Sequence, residues 1–278
     1  MSHVSSATDP RPTGHLSVAV LAAAVTAVLV VLAAVGGATG LIAGVALAQL
    51  GLIAAWGVGV PAPGVPGLIA IGLLAAAAAD VALRVRSEDT SVSTLIGVIG
   101  LAFLAMIIWQ LVRRPPREHV TISIATTGPV VVAVTALGSL LVLREIAEGP
   151  DLLAASLLSV GVALIVGHLV DAVFPVPRFA RTVQRGLTAL VAGAAAAAAA
   201  AAIRLHGVDT VGVGGAVFFG AALGLVAGLI AVGVAYVEAT VTPRKLPLAA
   251  YAIPYLQIAV PLALSAPVGY LLGRAVTG

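Results

Sequence analysis

Residues 152–174 read LLAASLLSVGVALIVGHLVDAVF. From Leu152 through Gly167 nothing ionises, and only His168 and Asp171 interrupt the run before Phe174. At 1.5 Å per residue, about 20 such residues cross the roughly 30 Å hydrocarbon core of a bilayer. A helix on the surface of a soluble domain would carry a charged stripe opposite its apolar one, and no such stripe exists here. The segment therefore reads as a membrane span.

The rest of the chain repeats that pattern. Of its 278 residues 61% are hydrophobic and 9% charged, with a mean hydropathy of +1.17. So few charges cannot cover the surface of a soluble domain. Apolar runs near 16–36, 39–60, 66–85, 91–112, 122–146, 151–173, 186–203, 211–238 and 248–273 predict an all-α, polytopic membrane bundle of about nine transmembrane helices. Gly36-Gly37 and the proline-rich stretch 61–66 serve as turns. Residues 1–15, MSHVSSATDPRPTGH, are polar and hold two prolines, which predicts a disordered tail ahead of a single transmembrane domain over 16–278. The run after it is too long for a signal-peptide core and is followed by further spans, so it is expected to remain as an anchor.

Charge placement orients the bundle. Nine of the fourteen Lys and Arg residues fall on one side, namely Arg11, Arg113, Arg114, Arg117, Arg178, Arg181, Arg185, Arg244 and Lys245. Arg84, Arg86, Arg144, Arg204 and Arg274 fall on the other. The bias predicts a cell-membrane protein with a cytoplasmic N-terminus, cytoplasmic loops at 113–121, 174–185 and 239–247, and an external C-terminus. A net charge of +3 is too small for a nucleic-acid footprint. Cysteine is absent, which removes disulfides and thiolate metal sites.

Gly220, Gly224 and Gly228 recur at every fourth position, as do Gly40 and Gly44. Such faces admit close helix approach, and the reading favours packing within the bundle over a homodimer or another membrane protein as partner. Phosphate-loop and paired-histidine zinc motifs do not occur. Glu145, Glu148 and Asp151 surround a Gly-Pro turn and read as a solvated loop rather than a cation site.

Ionisable residues at membrane depth are costly unless paired or hydrated, which singles out Asp80, His168, Asp171 and Glu238. Asp80 precedes Arg84 by four residues, the spacing of a helical ion pair. His168 and Asp171 lie three apart on one face, where the carboxylate can orient the imidazole. The nearby arginines satisfy the positive-inside bias and suit anionic headgroups, each contributing about 1 kcal/mol near the surface.

The second half also has a recognisable layout. A span ending at Asp171 leads through a basic, proline-broken loop to Arg185-Gly186; a later span ends in GVAYVEATVTPRK, and the last contains IPYLQIAVPLALSAPVGYLL. From about 120 to 273 this order resembles the integral-membrane phosphatidate cytidylyltransferases, the CDP-diacylglycerol synthases. The resemblance implies that Asp171 stands for the family's span-end aspartate and Arg185-Gly186 for its Lys…Gly element. Glu238 then stands for an acidic position near the penultimate loop, and Arg244-Lys245 for a basic pair. After Glu238 the chain has no Asp, Glu or His, so the family's Gly-His-Gly-Gly and Asp-Arg-x-Asp elements have no counterpart. Transfer of a cytidylyl group needs metal ions on the triphosphate.

The expectation is therefore a catalytically inactive relative without a cofactor, with Mg2+ entering only if the transferase is active. His168, Asp171, Arg178, Arg181, Arg185, Glu238, Arg244 and Lys245 form the candidate surface for lipid phosphate or a partner. A transporter or channel subunit and an active cytidylyltransferase are the alternatives; the first would need a continuous polar path, and the first four spans offer little beyond Gln49, Asp80 and Gln110.

Overall fold

The computed structural model describes residues 13–61, 63–85, 92–113, 119–180, 183–240 and 248–277. These form ten helices, α1 (Thr13–Val35), α2 (Gly37–Gly59), α3 (Val65–Val85), α4 (Ser93–Val112), α5 (Val120–Leu137), α6 (Ser139–Glu145), α7 (Gly149–Val173), α8 (Leu187–Arg204), α9 (Val213–Thr240) and α10 (Ala249–Thr277). With α5 and α6 counted as one span, nine helical segments are long and apolar enough to cross a membrane. The chain is an all-α, multi-pass membrane bundle.

The fifth span, expected as one helix over 122–146, is divided at Gly138, where the ladder tightens to a Gly138 N–H bond to Thr135 O at 3.0 Å. A Cβ at Gly138 would meet Leu83 Cδ1 at 3.2 Å and Leu95 Cδ2 at 3.4 Å, so side chains of α3 and α4 occupy the space a larger residue would need. The α5–α6 span, α7 and α10 are the most buried, and α4 and α8 lie at the rim. α10 packs on α1, α2, α5, α6, α7 and α9 and joins the α3–α4–α5 group to the α7–α8–α9 group. Its three internal prolines, Pro254, Pro261 and Pro267, are tolerated because neighbouring helices surround the backbone they free.

The glycine face of α9 is used inside the bundle. A Cβ on Gly220 would lie 2.3 Å from Ala197 O, on Gly224 2.6 Å from Ala197 Cβ, and on Gly228 2.4 Å from Leu190 Cδ1. The alanine-rich α8 and the glycine face of α9 thus approach backbone to backbone, a contact that dispersion rewards where lipid removes the hydrophobic drive. Gly40 and Gly44 likewise meet Leu32 and Leu29 of α1. Residues 1–12, most of the expected tail, lie outside the described residues, while Thr13, Gly14 and His15 open α1.

Candidate functional site

The ends of α7 and α9 and the starts of α1, α8 and α10 meet at the face of the bundle where α1 begins. The last turns of α7 hold His168 and Asp171, both buried. The connection to α8 turns Arg185 back beneath them, leaving it 5% exposed. Arg185 Nη1 lies 3.5 Å from Asp171 Oδ2, and the Gly186 N–H donates to Asp171 Oδ1 at 2.8 Å. Both carboxylate oxygens are therefore engaged by the chain itself. A Cβ on Gly186 would stand 3.0 Å from Pro175 C and Val176 N, so glycine lets the two arms of the loop close.

The second guanidinium nitrogen, Nη2, stands 2.5 Å from His168 Nε2. Arginine only donates, so Nε2 must accept, and a neutral His168 then carries its proton on Nδ1. That nitrogen is 3.3 Å from Nδ1 of His15 on α1, which accepts in turn. Arg185, His168 and His15 thus form a directed chain of donors tying the α8 loop through α7 to α1. Burial lowers the Arg185 pKa below its ordinary value, while the carboxylates of Asp171 and Glu238 act to raise it. Glu238 Oε2 accepts from Gln257 Nε2 of α10 at 2.6 Å, and its Oε1 is buried without a hydrogen-bond partner among the described residues. Beside Arg185, a cavity of about 10 Å³ bounded by Gly167, Gly186, Ala189 and Gly228 has room for about one water.

The loop itself is well tied. Thr188 Oγ1 lies 3.1 Å from Phe174 O and 2.7 Å from Val176 O. The Leu187 N–H donates to Pro177 O at 2.8 Å and the Phe179 N–H to Arg185 O at 3.2 Å. These bonds turn Phe174, Val176 and Phe179 outward, at 57%, 44% and 44% exposure, with Arg178 exposed among them. Tyr236 of α9 and Tyr251 of α10 are exposed at the same face. Aromatic rings around a cation suit the headgroup boundary.

Of the candidate residues, His168, Asp171 and Arg185 come into direct contact, Glu238 acts on Arg185 electrostatically, and Arg178 stands apart on the outer side of the loop. Arg181, Arg244 and Lys245 lie outside the described residues. His15 and Gln257 join the network without having been singled out in the sequence. Elsewhere, Asp80 accepts from Gln49 Nε2 at 3.2 Å, and Gln49 also donates to Val134 O at 3.0 Å. The expected helical partner Arg84 acts on Asp80 only through its field. In the Gly-Pro turn Asp151 pairs with Arg204 at 2.6 Å, with Glu145 and Glu148 exposed. No group of three His, Asp or Glu able to hold a metal ion occurs among the described residues.

Comparison with known proteins adds no relative: no family model matches the chain, nor does any curated protein or solved structure.

Proposed function

We propose that this chain is a non-catalytic, multi-pass protein of the cell membrane whose N-terminal face lies in the cytoplasm and binds anionic lipid headgroups. One observation carries the reading: the two described arginines of a single loop serve two tasks. Arg185 is turned inward and neutralised by Asp171, which fixes the loop. Arg178 is turned outward among Phe174, Val176 and Phe179, where its charge is free for phosphate. The side chains beside it enter the acyl boundary, and a boundary arginine contributes about 1 kcal/mol toward an anionic surface.

Catalytic silence is supported by how the acids are used. Asp171 gives both oxygens to Arg185 and Gly186, and Glu238 gives one to Gln257. A hard cation on a triphosphate needs several free carboxylate oxygens. In the synthase-like layout, the span-end aspartate and the basic residue opposite it would then persist as the clamp of the loop rather than as a metal and nucleotide site. Lipid is the partner we assign.

The test places a single cysteine at Phe179, labels it with an environment-sensitive fluorophore, and reconstitutes the full chain in phosphatidylglycerol or phosphatidylcholine nanodiscs. Emission should be further blue-shifted in phosphatidylglycerol, and Arg178→Gln should narrow the difference. Equal emission in both lipids would overturn the reading.

A further inference from the structure

At the opposite face of the bundle, a crevice of about 220 Å³ opens between α2, α3 and α6. It has many times the ~15 Å³ that one water needs. Arg84, in the last turn of α3, and Arg144, in the last turn of α6, line it together with Glu145. Among the described residues neither guanidinium has a hydrogen bond or an ion pair within 4 Å. Arg144 reaches over the start of α2, where its Nη2 stands 3.7 Å from the place of a Cβ on Gly37.

The walls change character with depth. Arg144 and Ala38 mark the boundary, and about one turn deeper the lining becomes Leu41, Ile42 and Leu141. A free phosphate would use only the upper part. An amphiphile uses both, with its phosphate between the guanidinia and the first carbons of its chains on the leucines. We propose that this crevice binds one phospholipid through its phosphate diester, held by Arg84 and Arg144. Among the described lining residues Arg84 and Arg144 are the cations and Glu145 the one carboxylate, a lining that favours an anionic headgroup.

This site lies on the face opposite Arg178 and stands independently of the loop reading. The test is native mass spectrometry of the full chain, stripped of lipid in detergent and titrated with phosphatidylglycerol. The parent should hold one copy more tightly than the rest. Two lost charges predict about 10- to 30-fold weaker retention of that copy in Arg84→Gln/Arg144→Gln. Ala38→Phe, which keeps both charges and fills the crevice from an exposed position, should weaken it as well. Arg178→Gln should leave that copy in place, and millimolar inorganic phosphate should not displace it. Unchanged retention in either the double variant or Ala38→Phe would overturn the site. Loss of that copy in Arg178→Gln would assign it to the other face, and displacement by inorganic phosphate would make this an anion site without a lipid.

Discussion

Replacing Asp171 by Asn removes the charge that balances Arg185 while keeping an oxygen for the Gly186 N–H, now 2.8 Å from Asp171 Oδ1. Arg185 is 5% exposed, so its charge cannot move to water without opening the loop. His168 offers one neutral acceptor, and Glu238 acts only through its field. Breaking a buried pair from one side costs about 3–5 kcal/mol. Because His168 and Glu238 still act on the guanidinium, we place Asp171→Asn at the lower end, about 3 kcal/mol. Arg185→Gln leaves the Asp171 carboxylate with the Gly186 N–H and should cost about 2 kcal/mol. The double variant should cost less than the sum, with a coupling of about 2 kcal/mol, because neither charge is then stranded. Reversible unfolding of the full chain in mixed micelles titrated with SDS measures all three. An Asp171→Asn variant within about 0.5 kcal/mol of the parent, the scatter of ordinary surface substitutions, would refute the clamp.

The same titration tests the α8–α9 contact: Gly220→Ala forces a methyl to within 2.3 Å of Ala197 O and should cost about 1–3 kcal/mol. Gly233→Ala, with nothing within 4 Å of the added carbon, should be neutral or stabilising; equal effects at the two positions would contradict the packing. Gln49→Leu strips the hydrogen bonds to Asp80 and Val134 O and should cost about 1–3 kcal/mol by leaving polar groups unpaired. Purified chain given CTP, Mg2+ and phosphatidate should release no pyrophosphate above background, and turnover abolished by Asp171→Asn would show that the acids carry metal after all. Single cysteines at positions 116 and 180, clean because the chain has none of its own, should resist an impermeant reagent added outside intact cells; labelling would invert the topology.

The nine spans are legible because bilayer thickness fixes a length that apolar runs either meet or miss. The break at Gly138 is not, since a glycine inside an apolar run gives the same letter whether it packs a neighbour or divides a helix. The same ambiguity covers Gly220, Gly224 and Gly228, whose partner surface on α8 is decided by tertiary approach. His168 and Asp171 stand out by their cost at membrane depth and their shared face. Arg185 carries the same letter as Arg178 and follows the same basic bias, yet one is buried and the other exposed; the close approach of Gly186 to Pro175 makes that difference. For Asp80 the local reading found Arg84, whereas the hydrogen bond comes from Gln49 on another helix. His15 and Gln257 had weaker signals, one at the edge of a polar tail and the other a lone amide in an apolar span, and their meaning depends on which helices lie beside them.

The proposed lipid surface is tested most directly by asking what touches Phe179 in a membrane. A photoreactive benzoyl group placed at that position in the full chain, irradiated in the host membrane and analysed by mass, should yield adducts with anionic phospholipid. Those adducts should fall away in Arg178→Gln, while the folded fraction stays unchanged because Arg178 is exposed and takes no part in the Asp171–Arg185 clamp. Adducts with zwitterionic lipid alone, or anionic adducts indifferent to Arg178, would contradict the account.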